Sequence, residues 1–200
     1  MLKSKILVAA FVLLFLIGCS KETKSELPKK LNQELNSKTT QQNFNNIYTA
    51  ALEGDIEIIR LSIPEVLTVN SKNEDGHSLL MLASFNGHTE ICEFLIKNGA
   101  HIEARDNSGR TALMFASTGP FASTVKFLLN NGANANSVDH VEKWTSLMGA
   151  ATEGQMEVVK LLLQNGADKN LKDIDGDTAE SFAFKKNHLE VSNFLKNYTN

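Results

Sequence analysis

The chain closes three of its helical segments with the same three letters. Asn98-Gly99-Ala100, Asn131-Gly132-Ala133 and Asn165-Gly166-Ala167 stand 33 and 34 residues apart. A fixed period between about 20 and 50 residues constrains a fold more than composition does, because it means one supersecondary unit stacked on copies of itself. The opening of each unit keeps the same beat: Ser78, Thr111, Thr145 and Thr178 recur at intervals of 33, 34 and 33. Each is followed by a helical pattern, in turn SLLMLAS, TALMFAS, TSLMGAA and TAESFAF.

The Ser or Thr is placed to cap its helix, its side-chain oxygen accepting a backbone N–H of the first turn. Alanines at 83, 116, 150 and 183 leave room for neighbouring helices to approach. A second apolar stripe follows in every unit: Ile91, Phe94, Leu95; Val125, Leu128, Leu129; Val159, Leu162, Leu163; Val191, Phe194, Leu195. Steps of three, four and one keep each stripe on a single helical face. Gly99, Gly132 and Gly166 then sit where a helix ends in the left-handed conformation. Each unit is therefore expected to be helix-turn-helix, unable to bury its apolar faces alone and stable only when stacked.

At this level of detail the sequence resembles the ankyrin repeat over residues 44–200, carried most clearly by DGHSLLMLASFNGHTEICEFLIKNGAHIEARD at 75–106. The resemblance implies an all-α solenoid of helix-turn-helix repeats with short β-turn or hairpin tips. Three full repeats lie at 73–105, 106–139 and 140–172, after a degenerate entry repeat at 44–72 and before an exit cap at 173–200. Met81, Met114 and Met148 stand where that family often has a histidine linking adjacent repeats. Apolar packing is expected to replace those bonds, with moderate rather than extreme stability.

The N-terminus has a different character. Lys3 and Lys5 precede an unbroken apolar run, Ile6 to Ile17, which ends in LIGCS at 16–20. Twelve helical residues span about 18 Å, against about 30 Å for a bilayer core, so the run fits a signal peptide better than a permanent span. Gly18 before Cys19, with Leu16 upstream, resembles the bacterial lipobox. That resemblance implies cleavage of a lipoprotein signal peptide, residues 1–18, and acylation of Cys19. Ser20 after the cysteine resembles the signal for the outer membrane. The expected location is thus the cell envelope, lipid-anchored, facing the periplasm or cell surface. Residues 19–43 read as a polar tether, on the order of 25–30 Å across if disordered; Leu27, Leu31 and Leu35 also fit one amphipathic helix.

Charge narrows the partners. Residues 44–200 hold 13 Lys and Arg against 20 Asp and Glu, whereas the tether is slightly basic. An acidic body argues against nucleic acid, whose affinity comes from neutralised phosphates. Asp173, Asp175 and Asp177 sit in a calcium-like DIDGD, but an EF-hand needs glycine sixth and glutamate twelfth, and those places hold other residues. His77, His88, His101, His140 and His188 lack paired ligand spacing, and His88 and His188 share one repeat position, so no metal is expected. Cys92 falls where a buried small hydrophobe belongs. No nucleophile elbow, phosphate loop or carboxylate pair appears. The chain is read as non-enzymatic, with no cofactor and no small-molecule substrate.

The resemblance implies binding of a protein partner through the tips and the exposed edges of the first helices. Those positions are His77 and Phe85; then Arg105, Asn107 and Arg110; then Glu142, Trp144, Thr152 and Glu153; then Lys172, Asp177, Lys185 and Lys186. The third tip carries one extra residue, has Lys143 where the others have glycine, and holds the only tryptophan. Trp144 is expected to stand clear of the helices, with packing on a neighbouring tip as the competing role. The implied function is a membrane-anchored, non-catalytic interaction module of the bacterial envelope. An inhibitor or immunity protein neutralising an exported toxic enzyme, such as a phospholipase, is the alternative.

Overall fold

The N-G-A triplets explain the architecture, because each of the three residues satisfies a helix end in its own way. In a computed structural model that describes residues 46–63 and 69–199, Gly99, Gly132 and Gly166 have φ of 89°, 93° and 84°. Only glycine holds that region without Cβ strain. The asparagine side chains of Asn98, Asn131 and Asn165 donate to Phe94, Phe127 and Leu161 carbonyls at 2.7, 2.8 and 2.8 Å. The alanine N–H groups then turn back to the Leu95, Leu128 and Leu162 carbonyls. Carbonyls that the helix leaves open are thereby paired.

Ten helices follow one another among the described residues: α1 (46–53), α2 (Ile56–Ser62), α3 (Leu79–Phe85), α4 (Thr89–Lys97), α5 (Ala112–Ser117), α6 (Ala122–Asn130), α7 (Ser146–Thr152), α8 (Met156–Gln164), α9 (Ala179–Lys185) and α10 (Leu189–Asn197). The first helices α3, α5, α7 and α9 pack side by side in order, and α4, α6 and α8 form a second layer. Every first helix is capped as its sequence requires: Ser78, Thr111, Thr145 and Thr178 accept from the N–H groups of Met81, Met114, Met148 and Ser181 at 3.2–3.5 Å. Each cap stabilises its helix by about 1 kcal/mol.

The core runs between the layers. Ala83, Ala116, Ala150 and Ala183 are fully buried, together with Leu95, Leu128, Leu162 and Leu195. Met81, Met114 and Met148 are buried too, and the only polar contact among their side chains is local, Met81 Sδ accepting from the Ser78 N–H. Met81 and Met148 belong to the apolar core cluster. His88 ties two repeats where the helices turn, with Nε2 2.9 Å from the Leu52 carbonyl. His188 lies against Gly154 so closely that a Cβ there would come within 2.5 Å of its ring.

The tips are hairpin turns closed by a backbone bond from Asn73 to His77, Asp106 to Arg110 and Asp173 to Asp177. The third closes from Asp139 to Trp144, one residue longer. The signal peptide at 1–18, the acylation site Cys19 and the tether at 19–43 lie outside the described residues.

Candidate functional site

The tips and first helices together carry two aromatic clusters, each built around a ring four residues beyond an N-cap. The first centres on Phe115 of α5. The Arg110 guanidinium lies over it, 4.7 Å from the ring centroid, His77 meets it edge-on at 5.3 Å and Phe85 at 6.1 Å. Phe85 remains 45% exposed, so this cluster has an accessible apolar side.

A buried carboxylate fixes the first cluster. Asp106 accepts from the Ser108 and Arg110 N–H groups at 2.9 and 2.8 Å and from Arg110 Nε at 2.8 Å. Burial alone would raise its pKa; the bonds from Arg110 and Ser108 more than offset that and hold the carboxyl below the usual range. His77 Nε2 lies 3.5 Å from the same carboxylate.

The second cluster centres on Phe182 of α9. Trp144 packs against it with centroids 5.0 Å apart and planes at 61°, and Lys185 reaches its ring from 5.8 Å. Lys185 also donates to Asp177, which is the main cause of a lowered Asp177 pKa. Trp144 is half-buried. It does not stand clear of the helices: it packs on the first helix of the unit that follows, as His77 does on Phe115.

The other expected positions divide. Arg105 is half-buried and committed to the scaffold, its Nη1 donating to the Gly109 and Val138 carbonyls at 2.8 and 2.7 Å. Asn107 is exposed at its tip while its side chain donates to the Glu74 carbonyl. Thr152 donates to the Met148 carbonyl. Glu142, Glu153, Lys172 and Lys186 are exposed. Residue types at turn positions did not point to Phe115, Phe182 or Asp106. The signal was present in the register, since Leu82, Phe115, Gly149 and Phe182 occupy one position after successive caps.

Chemistry other than contact has little to draw on. Among the described residues no group of three or more His, Cys, Asp or Glu is arranged to hold a metal ion. Burial pushes the Cys92 thiol up to about 11, which keeps it out of the thiolate form that reacts. No described helix is long and apolar enough to cross a membrane. Compared with protein-family models, the chain matches the family described as ankyrin repeats (3 copies) over residues 47–139 and 119–200. A search of curated proteins finds no match.

Proposed function

The chain belongs to the ankyrin-repeat family, and from that premise we propose that it is a non-catalytic protein-binding module tethered to a bacterial envelope membrane through acylated Cys19. The observation that carries the binding half is the pair of aromatic clusters on the tip and first-helix face. Phe115 and Phe182 each have a cation over or beside the ring and an aromatic partner. Trp, Tyr and Arg are the residue types enriched among those that dominate binding energy, and large aromatic side chains bury much area at modest entropic cost.

The membrane half is supported by the sequence of the first twenty residues alone. Lys3 and Lys5, a twelve-residue apolar run and Leu16-Ile17-Gly18-Cys19 form one continuous signal. A single acyl chain binds a membrane only marginally, so lasting attachment needs more than one chain. The tether would then hold the repeats off the lipid surface.

Metabolic labelling with a fatty acid tests the anchor: wild type takes up label and Cys19→Ser does not. Equal label in both removes the lipid from the proposal. Affinity capture by the membrane-bound protein tests the binding face. A partner retained by wild type and lost from Arg110→Ala and Trp144→Ala supports it, and a partner retained equally by all three moves the binding surface elsewhere.

A further inference from the structure

Three positions in the repeat at 140–172 differ from their counterparts in the other repeats, and each difference weakens it. Lys143 has φ of 57° where Gly76, Gly109 and Gly176 have 79°, 84° and 85°. A residue with a Cβ is strained there. Ser146 is 1% exposed, and its hydroxyl has no hydrogen-bond partner; Ala112 and Ala179 occupy the same register. A buried hydroxyl without a partner loses what water gave it. Gly149 lies inside α7, in the register of Leu82, Phe115 and Phe182.

Packing does not require that glycine. A Cβ on Gly149 would meet only Thr118 Cγ2, at an ordinary 3.5 Å, and a helix-interior glycine is destabilising relative to alanine.

In a stack of repeats, stability is a sum of intrinsic terms and nearest-neighbour interfaces. Among the described residues the unit at 173–199 packs on one repeat, the weakened one. Its outer face is already partly polar: Glu180, in the register of buried Leu80, Leu113 and Leu147, accepts from Ser192 at 2.6 Å. Phe184 is 64% exposed where Ser84, Ser117 and Ala151 are covered by a following repeat. Losing the one interface before residue 140 therefore releases both units.

We propose that the solenoid opens in two steps, residues 140–199 coming away as one block while the repeats before them stay folded. Trp144 and Phe182 belong to the block that opens, and His77, Phe85, Arg110 and Phe115 to the part that stays. That the opening divides a binding face rests on the proposed function; the opening itself does not.

Trp144 is the only tryptophan and reports the block, whereas far-ultraviolet circular dichroism reports every helix. In a urea titration of the full chain, the tryptophan transition is expected to precede the dichroism transition by about 0.5 M or more. The triple variant Lys143→Gly, Ser146→Ala, Gly149→Ala gives positions 143 and 146 residue types that serve there in other repeats and replaces the helix-interior glycine. It should draw the two curves together and raise the fluorescence midpoint. Superimposed curves in wild type, or a gap unchanged by the triple variant, overturn the proposal. Hydrogen exchange separates block opening from fraying of the tip: amides of α7 to α10 should exchange as a group about tenfold or more faster than those of α3 to α6. Fast exchange confined to the tip at 139–144 would also overturn it.

Discussion

The tips at 106–110 and 139–144 begin from the same device and end differently. In both, an aspartate accepts backbone N–H groups of its own turn: Asp106 from Ser108 and Arg110, Asp139 from Val141 and Glu142. In the shorter tip the next side chain is Arg110, which returns to the carboxylate and lies over Phe115. The longer tip has a left-handed Lys143 where the shorter has Gly109, and its Trp144 packs on Phe182 of the following repeat. The lesson is that the residue before the cap decides where a tip sends its side chain: Trp144 gives its ring to the repeat that follows, as His77 does to Phe115. Arg110 turns back on its own tip and its own Phe115, whereas Trp144 reaches the ring of the following repeat.

Replacing the two aspartates is the harshest way to break that contrast. Asp106→Ala strips two N–H groups and a guanidinium of their acceptor and should cost about 3 kcal/mol, against about 1–2 kcal/mol for Asp139→Ala, in urea unfolding. Equal losses would mean that Arg110 adds nothing to its tip. Trp144→Ala should follow at about 1–2 kcal/mol, because the ring packs on Phe182. A negligible loss in the same assay would return Trp144 to the solvent-facing role that the turn pattern suggests.

Acid offers a gentler comparison. The Asp106 pKa is lowered in the folded chain, so its stabilisation is complete above the unfolded carboxyl value of about 4 and is lost as pH falls through the folded one. Thermal unfolding from pH 6 down to pH 2 should therefore show a decline that Asp106→Asn reduces. An identical pH dependence in the variant would show that the pair with Arg110 does not control acid stability. The smallest effect expected is a gain. Lys143→Gly should stabilise by about 0.5–1 kcal/mol in urea by relieving the left-handed strain, whereas Gly109→Ala should lose stability, since its Cβ would fall 2.5 Å from the His140 ring.

What could be read from the sequence follows the range of the interaction. Caps at Ser78, Thr111, Thr145 and Thr178 and stops at Gly99, Gly132 and Gly166 are decided within four residues, so spacing alone locates them. The buried alanines follow from the period. Arg105 has the residue type of a surface position, but its partner, the Val138 carbonyl, is 33 residues away and leaves no local signal. The inserted residue of the third tip is visible in the spacing, but where Trp144 packs depends on the geometry of the next repeat. Phe115 and Phe182 share one register after their caps, but turn chemistry marks the tips and not the helix rings that face them.

The most direct test of the binding face uses the captured partner and two readings on one protein. Affinity and thermal unfolding are measured together for wild type and Trp144→Ala. The expected result is binding weakened by about thirtyfold, or about 2 kcal/mol, at a temperature where the variant is still folded. Unchanged affinity in a variant whose melting temperature has fallen would contradict the account, making Trp144 a strut between repeats and nothing more.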